Sequence, residues 1–391
     1  MPATRHTAPA KSAVARVVDG RFEALRALSH TIHAHPELAF EEERAAEWVA
    51  EALADGDFDV EAGACDMPTA FVATAGSGPL VVAICAEYDA LPGIGHACGH
   101  NVIAAAAVGA GLALAAVADE LGITVKVVGT PAEEGGGGKI LMLERGAFTG
   151  AHAAMMVHPA PVEADRMHCL AVAHLGINYT GRAAHASGYP EQGINAADAL
   201  TVAQVGIGLL RQHLNAGDQV HGIVTHGGDA PNVVPAHASA HYLVRSATLD
   251  SLVEAEARVR RCFEAGALAT GAELEVVPLS PAYSELRTDE AMADAWRRNA
   301  AELGRSFPPP AEQMKGGSTD MGNVSLAIPS IHPMLGIDSL PAVNHQPEFA
   351  AACITETADR ALRDGAMGMA WTAVDLATDQ GERSRLLGSV R

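Results

Sequence analysis

The chain has 391 residues, a net charge of −21, 49% hydrophobic residues and only 4% aromatic ones. That length fits two domains or one large one, and the apolar content can fill a sizeable core, which excludes a disordered or fibrous chain. The strong acidity repels phosphate backbones and anionic lipid head groups, which argues against nucleic acid and membrane surfaces as partners.

Met1–Lys11 lacks the continuous apolar core of a signal peptide. Apolar residues at Val14, Val18, Phe22, Leu25, Leu28 and Ile32 recur every three or four positions and predict an amphipathic helix, with a second from about Glu41. Short β-like runs follow at Leu80–Ala86, Ile123–Val128 and Ala153–Val157, each leading into a loop rich in Gly, Pro or acid. Between them, Val102–Ala118 runs 17 residues without a charge. It is built mostly from Ala and Gly, so it reads as a helix buried between layers rather than a membrane span. Alternating strand, loop and helix predicts an α/β layer with a mostly parallel sheet flanked by helices.

From about Ala171 the order becomes strand (Val172–Gly181), helix (Gln192–His213), strands (Gln219–His226 and His237–Arg245), helix (Leu249–Ala269) and strand (Glu273–Val277). That order predicts an inserted α+β domain, a four-stranded antiparallel sheet with two helices. The chain then returns to helix, a proline loop at Pro308, Pro309 and Pro310, a β-like stretch Ile328–Leu335, and a long helix from near Pro347. The expected organisation is a catalytic domain over 1–171 and 280–391, interrupted by the inserted domain over 172–279. Six cysteines without a CxxC pair point to a reducing compartment, hence the cytoplasm.

The densest chemistry follows the first of these strands, in Glu87-Tyr-Asp-Ala-Leu-Pro-Gly-Ile-Gly-His-Ala-Cys-Gly-His-Asn101. Cys98 and His100 offer a thiolate and an imidazole, which suit zinc and its neighbours, and Gly99 between them lets the backbone bend. A second cluster, Thr130-Pro-Ala-Glu133-Glu134-Gly-Gly-Gly-Gly-Lys139, follows the next strand. Adjacent carboxylates face different points, so one can hold a metal while the other moves a proton. A phosphate loop is excluded: Glu133 stands where its first glycine belongs, and Lys139 is followed by Ile140. His158-Pro159 closes the third strand. Three metal-competent clusters thus end three successive strands, where open α/β sheets form their crevices. Asn344-His345-Gln-Pro-Glu-Phe349, after the segment Gly316–Asn323, supplies another His, and His332-Pro333 rivals it as a ligand.

The ordered set DALP, CGH, EEGGGG, HP, AAHAS, NVVP and HQPEF resembles the dinuclear-metal aminoacylase and carboxypeptidase superfamily, in its amidohydrolase branch, from about Arg21 to the last helix. HACGHN, GSTDMGNVS and IPSIHP look closest to p-aminobenzoyl-glutamate hydrolase and related dipeptidases; Asn101 replaces an Asp common in the branch. The resemblance implies ligands Cys98, His100, Glu134, His158 and His345, favouring His345 over His332, with Cys98 bridging two divalent ions, zinc or manganese. It implies Glu133 as general base towards a water shared by the ions, and Asp89 as the carboxylate that orients a neighbouring ligand. In the inserted domain it implies His185 at the developing oxyanion, and Asn232 and Arg245 on the substrate's carboxylate or backbone, within one subunit or from a partner. The inserted domain would be a lid and dimerisation domain, giving a homodimer. The expected activity is hydrolysis of an amide bond in a small N-acyl amino acid or dipeptide. The alternative is a relative that binds metal or a small molecule without turnover, and Glu133 favours the enzyme. A serine or cysteine hydrolase is disfavoured because no GxSxG elbow occurs.

Overall fold

A computed structural model describes residues 4–309 and 317–389, in two compact units, Met1–His168 with Leu286–Arg391 and Cys169–Glu285. In chain order the first unit begins α1 (Thr4–Ala34), α2 (Glu43–Ala54), β1 (Asp59–Ala62), β2 (Phe71–Gly76), β3 (Leu80–Ala86), α3 (His100–Ala115), α4 (Ala118–Leu121), β4 (Ile123–Gly129), α5 (Gly138–Glu144), β5 (Ala153–Met155) and β6 (His158–Ala160). The second unit holds β7 (Ala171–Thr180), α6 (Ala196–Leu210), β8 (Gln219–His226), β9 (His237–Ser246), α7 (Leu249–Thr270) and β10 (Glu273–Pro278). The chain then adds α8 (Glu290–Glu302), α9 (Met321–Ala327), β11 (Ser330–Ile331), β12 (Met334–Gly336), α10 (Pro347–Ala352), α11 (Glu356–Thr378) and α12 (Gln380–Leu387) to the first unit.

The main sheet runs β1-β2-β4-β3-β5-β11. Its middle is parallel: β3 pairs with β4 on one side and β5 on the other, and β11 pairs with β5. β3 is apolar throughout, as a parallel strand covered on both faces must be: Val82, Ala83, Ile84, Cys85 and Ala86 are all buried. Helix α3 lies on one face and buries every residue from His100 to Leu114. Its small side chains permit this. A Cβ on Gly109 would stand 2.8 Å from Leu25 of α1 and 2.9 Å from Ala366 of α11, so the three helices meet without room for a methyl group. Among the described residues, no helix is long and apolar enough to cross a membrane.

In the second unit the antiparallel order β10-β7-β9-β8 carries α6 and α7. Along β9, Ala238, Ala240, Tyr242 and Val244 alternate inward and pack with Leu200, Val259 and Phe263 of those helices. β8 is an edge strand whose Ile223 and Val224 are exposed.

The structure corrects several expected elements. The strand expected over 153–157 ends at Met155, because the chain leaves the main sheet there and pairs again only from His158, opposite Met334, as a separate strand. The stretch 328–335 divides in the same way around His332-Pro333. The helix expected from Gln192 starts at Ala196, since Asn195 accepts the amides of Ala197 and Asp198 as N-cap. The last long helix is three helices, α10 to α12. β1 and β2, which extend the sheet antiparallel, were not expected. Pro310 and Gly316 lie outside the described residues.

Candidate metal centre

Strands β4, β3, β5 and β11 run parallel side by side, so the loops at their carboxyl ends open on one edge of the sheet. The loop after β3 carries Asp89 and Cys98, and His100 opens α3. Gly99, with φ of 84°, turns the chain into α3, and the Pro159 ring and Cys353 Sγ close over its Cα. Only glycine fits there, by conformation and by space. The loop after β4 carries Glu133 and Glu134, and His158 begins β6.

His100 Nδ1 hydrogen-bonds Asp89 Oδ1 at 2.9 Å, which directs Nε2 the other way. That nitrogen is fully buried and makes no hydrogen bond among the described residues. It faces Glu87 Oε2 at 3.5 Å and Glu133 Oε2 and Glu134 Oε1 at 4.0 Å each. Asp89 Oδ2 accepts the Glu134 N–H at 3.0 Å, so one carboxylate orients both an imidazole and a carboxylate. Cys98 Sγ lies 3.4 Å from His158 Nε2, and His345 Nε2 lies 3.4 Å from Glu134 Oε1. His345 holds φ of 68° and donates its N–H to Ala97 O at 2.8 Å, which ties the loop before α10 to the loop of Cys98.

Ligand atoms mutually within 4.8 Å form the groups Cys98–His100–His158, Cys98–Glu134–His345, His100–Glu133–Glu134 and Glu87–Glu133–Asp320. The donor chemistry of thiolate, imidazole and carboxylate around an orphaned, buried imidazole nitrogen fits divalent transition-metal ions. Electrostatics agree. Burial, then the His100 charge, lowers His158 to about 4, so its ring is neutral and its nitrogen a ready donor. Burial opposes ionisation of Glu134, yet the His345 hydrogen bond and the His100 charge outweigh it and hold the carboxyl below its ordinary value. Glu133 goes the other way: burial, then Glu87 and Glu134, push it well above the usual carboxylate range. Two neighbouring acids are thus driven apart, Glu134 towards its ionised form and Glu133 towards its protonated form.

His332, the rival ligand, is buried with its ring 5.6 Å from that of His158, but it joins none of the donor groups. His96 is also buried and outside them, lowered to about 3 chiefly by burial. In the second unit, His185 Nδ1 accepts the N–H groups of Ser187 at 3.3 Å and Gly188 at 3.0 Å. Nδ1 is therefore the bare nitrogen and Nε2 carries the proton. Asn232 is exposed, and its carbonyl accepts the Ala186 N–H at 3.0 Å. Arg245 lies half-buried on β9 opposite Val172 and Gln219.

Sequence reading missed a buried ion network beside the centre. Lys139 is fully buried, with Nζ 2.5 Å from Glu87 Oε1 and 2.7 Å from Asp320 Oδ1. Its backbone N–H also donates to Asp320 Oδ2 at 2.9 Å. The only signal available was the position of Glu87 two residues before Asp89, since Asp320 is 181 residues from Lys139 in the chain.

Residues 83–363 match the model of peptidase family M20/M25/M40. The chain is 36% identical over 391 residues to an Xaa-Arg dipeptidase of Mus musculus, covering 94% of this chain and 88% of the relative. It is 35% identical over 285 residues to one of the two subunits of the p-aminobenzoyl-glutamate hydrolase of Escherichia coli, covering 66% and 59%. Among solved structures, an aminobenzoyl-glutamate utilization protein from Klebsiella pneumoniae superposes with a TM-score of 0.76 at 20% identity, covering 93% of this chain and 98% of that one. A dinuclear metal binding peptidase of Bacillus subtilis gives 0.68 at 24% identity, covering 92% and 99%. At those identities the structures establish the fold alone.

Proposed function

The chain belongs to peptidase family M20/M25/M40, and from that premise we propose that it hydrolyses the amide bond of a small dipeptide or N-acyl amino acid at a two-ion site. The observation that carries this reading is the double membership of Cys98, whose sulfur groups with His100 and His158 on one side and with Glu134 and His345 on the other. A thiolate shared in this way suits a ligand bridging two divalent ions, zinc or manganese. When bound, such ions supply Lewis acidity at the scissile carbonyl and lower the pKa of water towards neutrality.

The chain's own groups do the rest. Glu133, with its affinity for a proton raised by burial and by neighbouring acids, takes the proton of the attacking water and delivers it to the leaving nitrogen. Asp89 keeps the His100 ring and the Glu134 backbone in place. His185, whose bare Nδ1 leaves Nε2–H as donor, is assigned to the developing oxyanion, and Asn232 and Arg245 to the substrate's carboxylate or backbone. The inserted domain over 172–279 is assigned as lid and dimerisation domain; the exposed apolar edge of β8 supports a homodimer. The relatives named as an Xaa-Arg dipeptidase and a p-aminobenzoyl-glutamate hydrolase support dipeptides and acyl-glutamates as the first substrates to try. The cysteine pattern supports the cytoplasm as its place of work.

The test is hydrolysis of a panel of dipeptides and acyl amino acids with and without chelator, beside the Glu133→Ala variant. The reading expects chelator-sensitive release of an amino acid, and full metal content with no turnover in Glu133→Ala. Unchanged turnover in that variant would sink the mechanism, and metal without turnover on any substrate would favour a binding protein.

A further inference from the structure

Glu42 is the N-cap residue of α2, a place where a carboxylate ordinarily accepts an amide of its own helix. It does not do so here: the side chain makes no cap hydrogen bond and is wholly buried. Its Oε1 instead accepts the Ala132 N–H at 2.8 Å, 90 residues away in the chain. Ala132 has φ of 58°, a left-handed conformation that side chains with a Cβ resist, and it immediately precedes Glu133 and Glu134. Its carbonyl accepts the amides of Gly136 at 3.0 Å and Gly137 at 2.9 Å, so the acidic loop folds back on this one residue. Asp89 holds the Glu134 amide, and Asp320 holds the Lys139 amide at the far end. The contact from Glu42 is the one that falls on the strained residue.

We infer that Glu42 is a positioning residue of the acidic loop: by accepting the Ala132 N–H it holds Ala132 left-handed and so fixes the directions in which Glu133 and Glu134 leave the backbone. This rests on the reading of Glu133 as proton carrier and Glu134 as ligand. Burial, with the Asp89 charge adding, raises the Glu42 carboxyl to about 7; protonated or ionised, its oxygen accepts the same amide. Glutamine at 42 therefore keeps the function, and alanine removes it.

The experiment compares Glu42→Ala, Glu42→Gln, Glu42→Asp and the double variant Glu42→Ala/Ala132→Gly with wild type and Glu133→Ala, measuring kcat, KM and zinc affinity by competition with a chromophoric chelator. Glu42→Ala is expected to lose up to about 10²-fold in kcat, the scale of a roughly 1 Å misplacement, with KM nearly unchanged and zinc held more weakly. Glu42→Asp, a milder lesion that withdraws the acceptor by one methylene, shifts the same quantities in the same direction. Glu42→Gln stays close to wild type. The double variant regains part of the loss, because glycine adopts the left-handed conformation without help, a recovery that a general packing defect would not show. Equal failure of Glu42→Gln and Glu42→Ala overturns the inference, as does wild-type kcat and zinc affinity in both Glu42→Ala and Glu42→Asp. If Glu133→Ala stays active, the functional reading fails instead, so the two failures are told apart.

Discussion

Replacing Lys139 by methionine removes the cation that the structure places between Glu87 and Asp320, while keeping much of the side-chain volume. Lys139 is wholly buried, 2.5 Å from one carboxylate and 2.7 Å from the other, and Glu133 lies in the same acidic group. Removing one partner from a buried ion network costs about 3–5 kcal/mol, because the remaining charges stay desolvated. Asp320 can escape part of that cost by taking up a proton. Burial, despite Lys139, already raises Asp320 to about 6, and loss of the cation moves it higher. A carboxyl raised in the folded state relative to the unfolded chain stabilises at low pH and loses that contribution as pH rises through the folded pKa. The penalty of Lys139→Met should therefore be smaller near pH 5 than near pH 8. Urea unfolding of chelator-treated wild type and variant at the two pH values measures it. A variant as stable as wild type at pH 8, or a penalty independent of pH, would refute the reasoning.

Other outcomes follow from single contacts. Gly99→Ala adds left-handed strain and a Cβ pressed on Pro159 and Cys353, together about 2–5 kcal/mol; calorimetry finding an unchanged Tm would contradict this packing. Asp89→Asn removes the charge that orients His100 and should weaken metal binding about 10–100-fold in a chelator competition, whereas unchanged affinity would mean that His100 needs no such partner. Glu42, raised to about 7 by burial and Asp89, contributes stability that is present below about pH 4.5 and lost as pH rises to 7, on the order of 3 kcal/mol. Wild type measured against Glu42→Gln in the metal-free protein should fall over that window and level off above it; a flat difference would show that Glu42 ionises as freely as on the surface.

How far the sequence reaches depends on whether a signal is local. The parallel strands 80–86 and 123–129 are legible because burial on both faces demands continuous apolar runs. The α3 helix is legible because its Ala and Gly content can serve only close helix packing. The candidate site residues Cys98, His100, Glu133, Glu134 and His158 are visible because each follows a strand that is itself visible. β1 and β2 are not, since Asp59–Ala62 is short and largely exposed and its pairing with Phe71–Gly76 lies across a loop. Lys139 looked like the end of a failed phosphate loop, because its partners are set by tertiary folding and no spacing in the chain encodes them. Glu42 sits among acidic residues at a helix start, where no local signal marks one carboxylate as wholly buried.

The central claim is that one sulfur serves two metal ions, and the most direct measurement is the metal stoichiometry of Cys98→Ser beside wild type, by elemental analysis after dialysis against limiting zinc. The account predicts about two ions per chain in wild type and weakened retention of both in the variant, since Cys98 belongs to both donor groups. Retention of both ions, or clean loss of one with the other held as tightly as before, would contradict it.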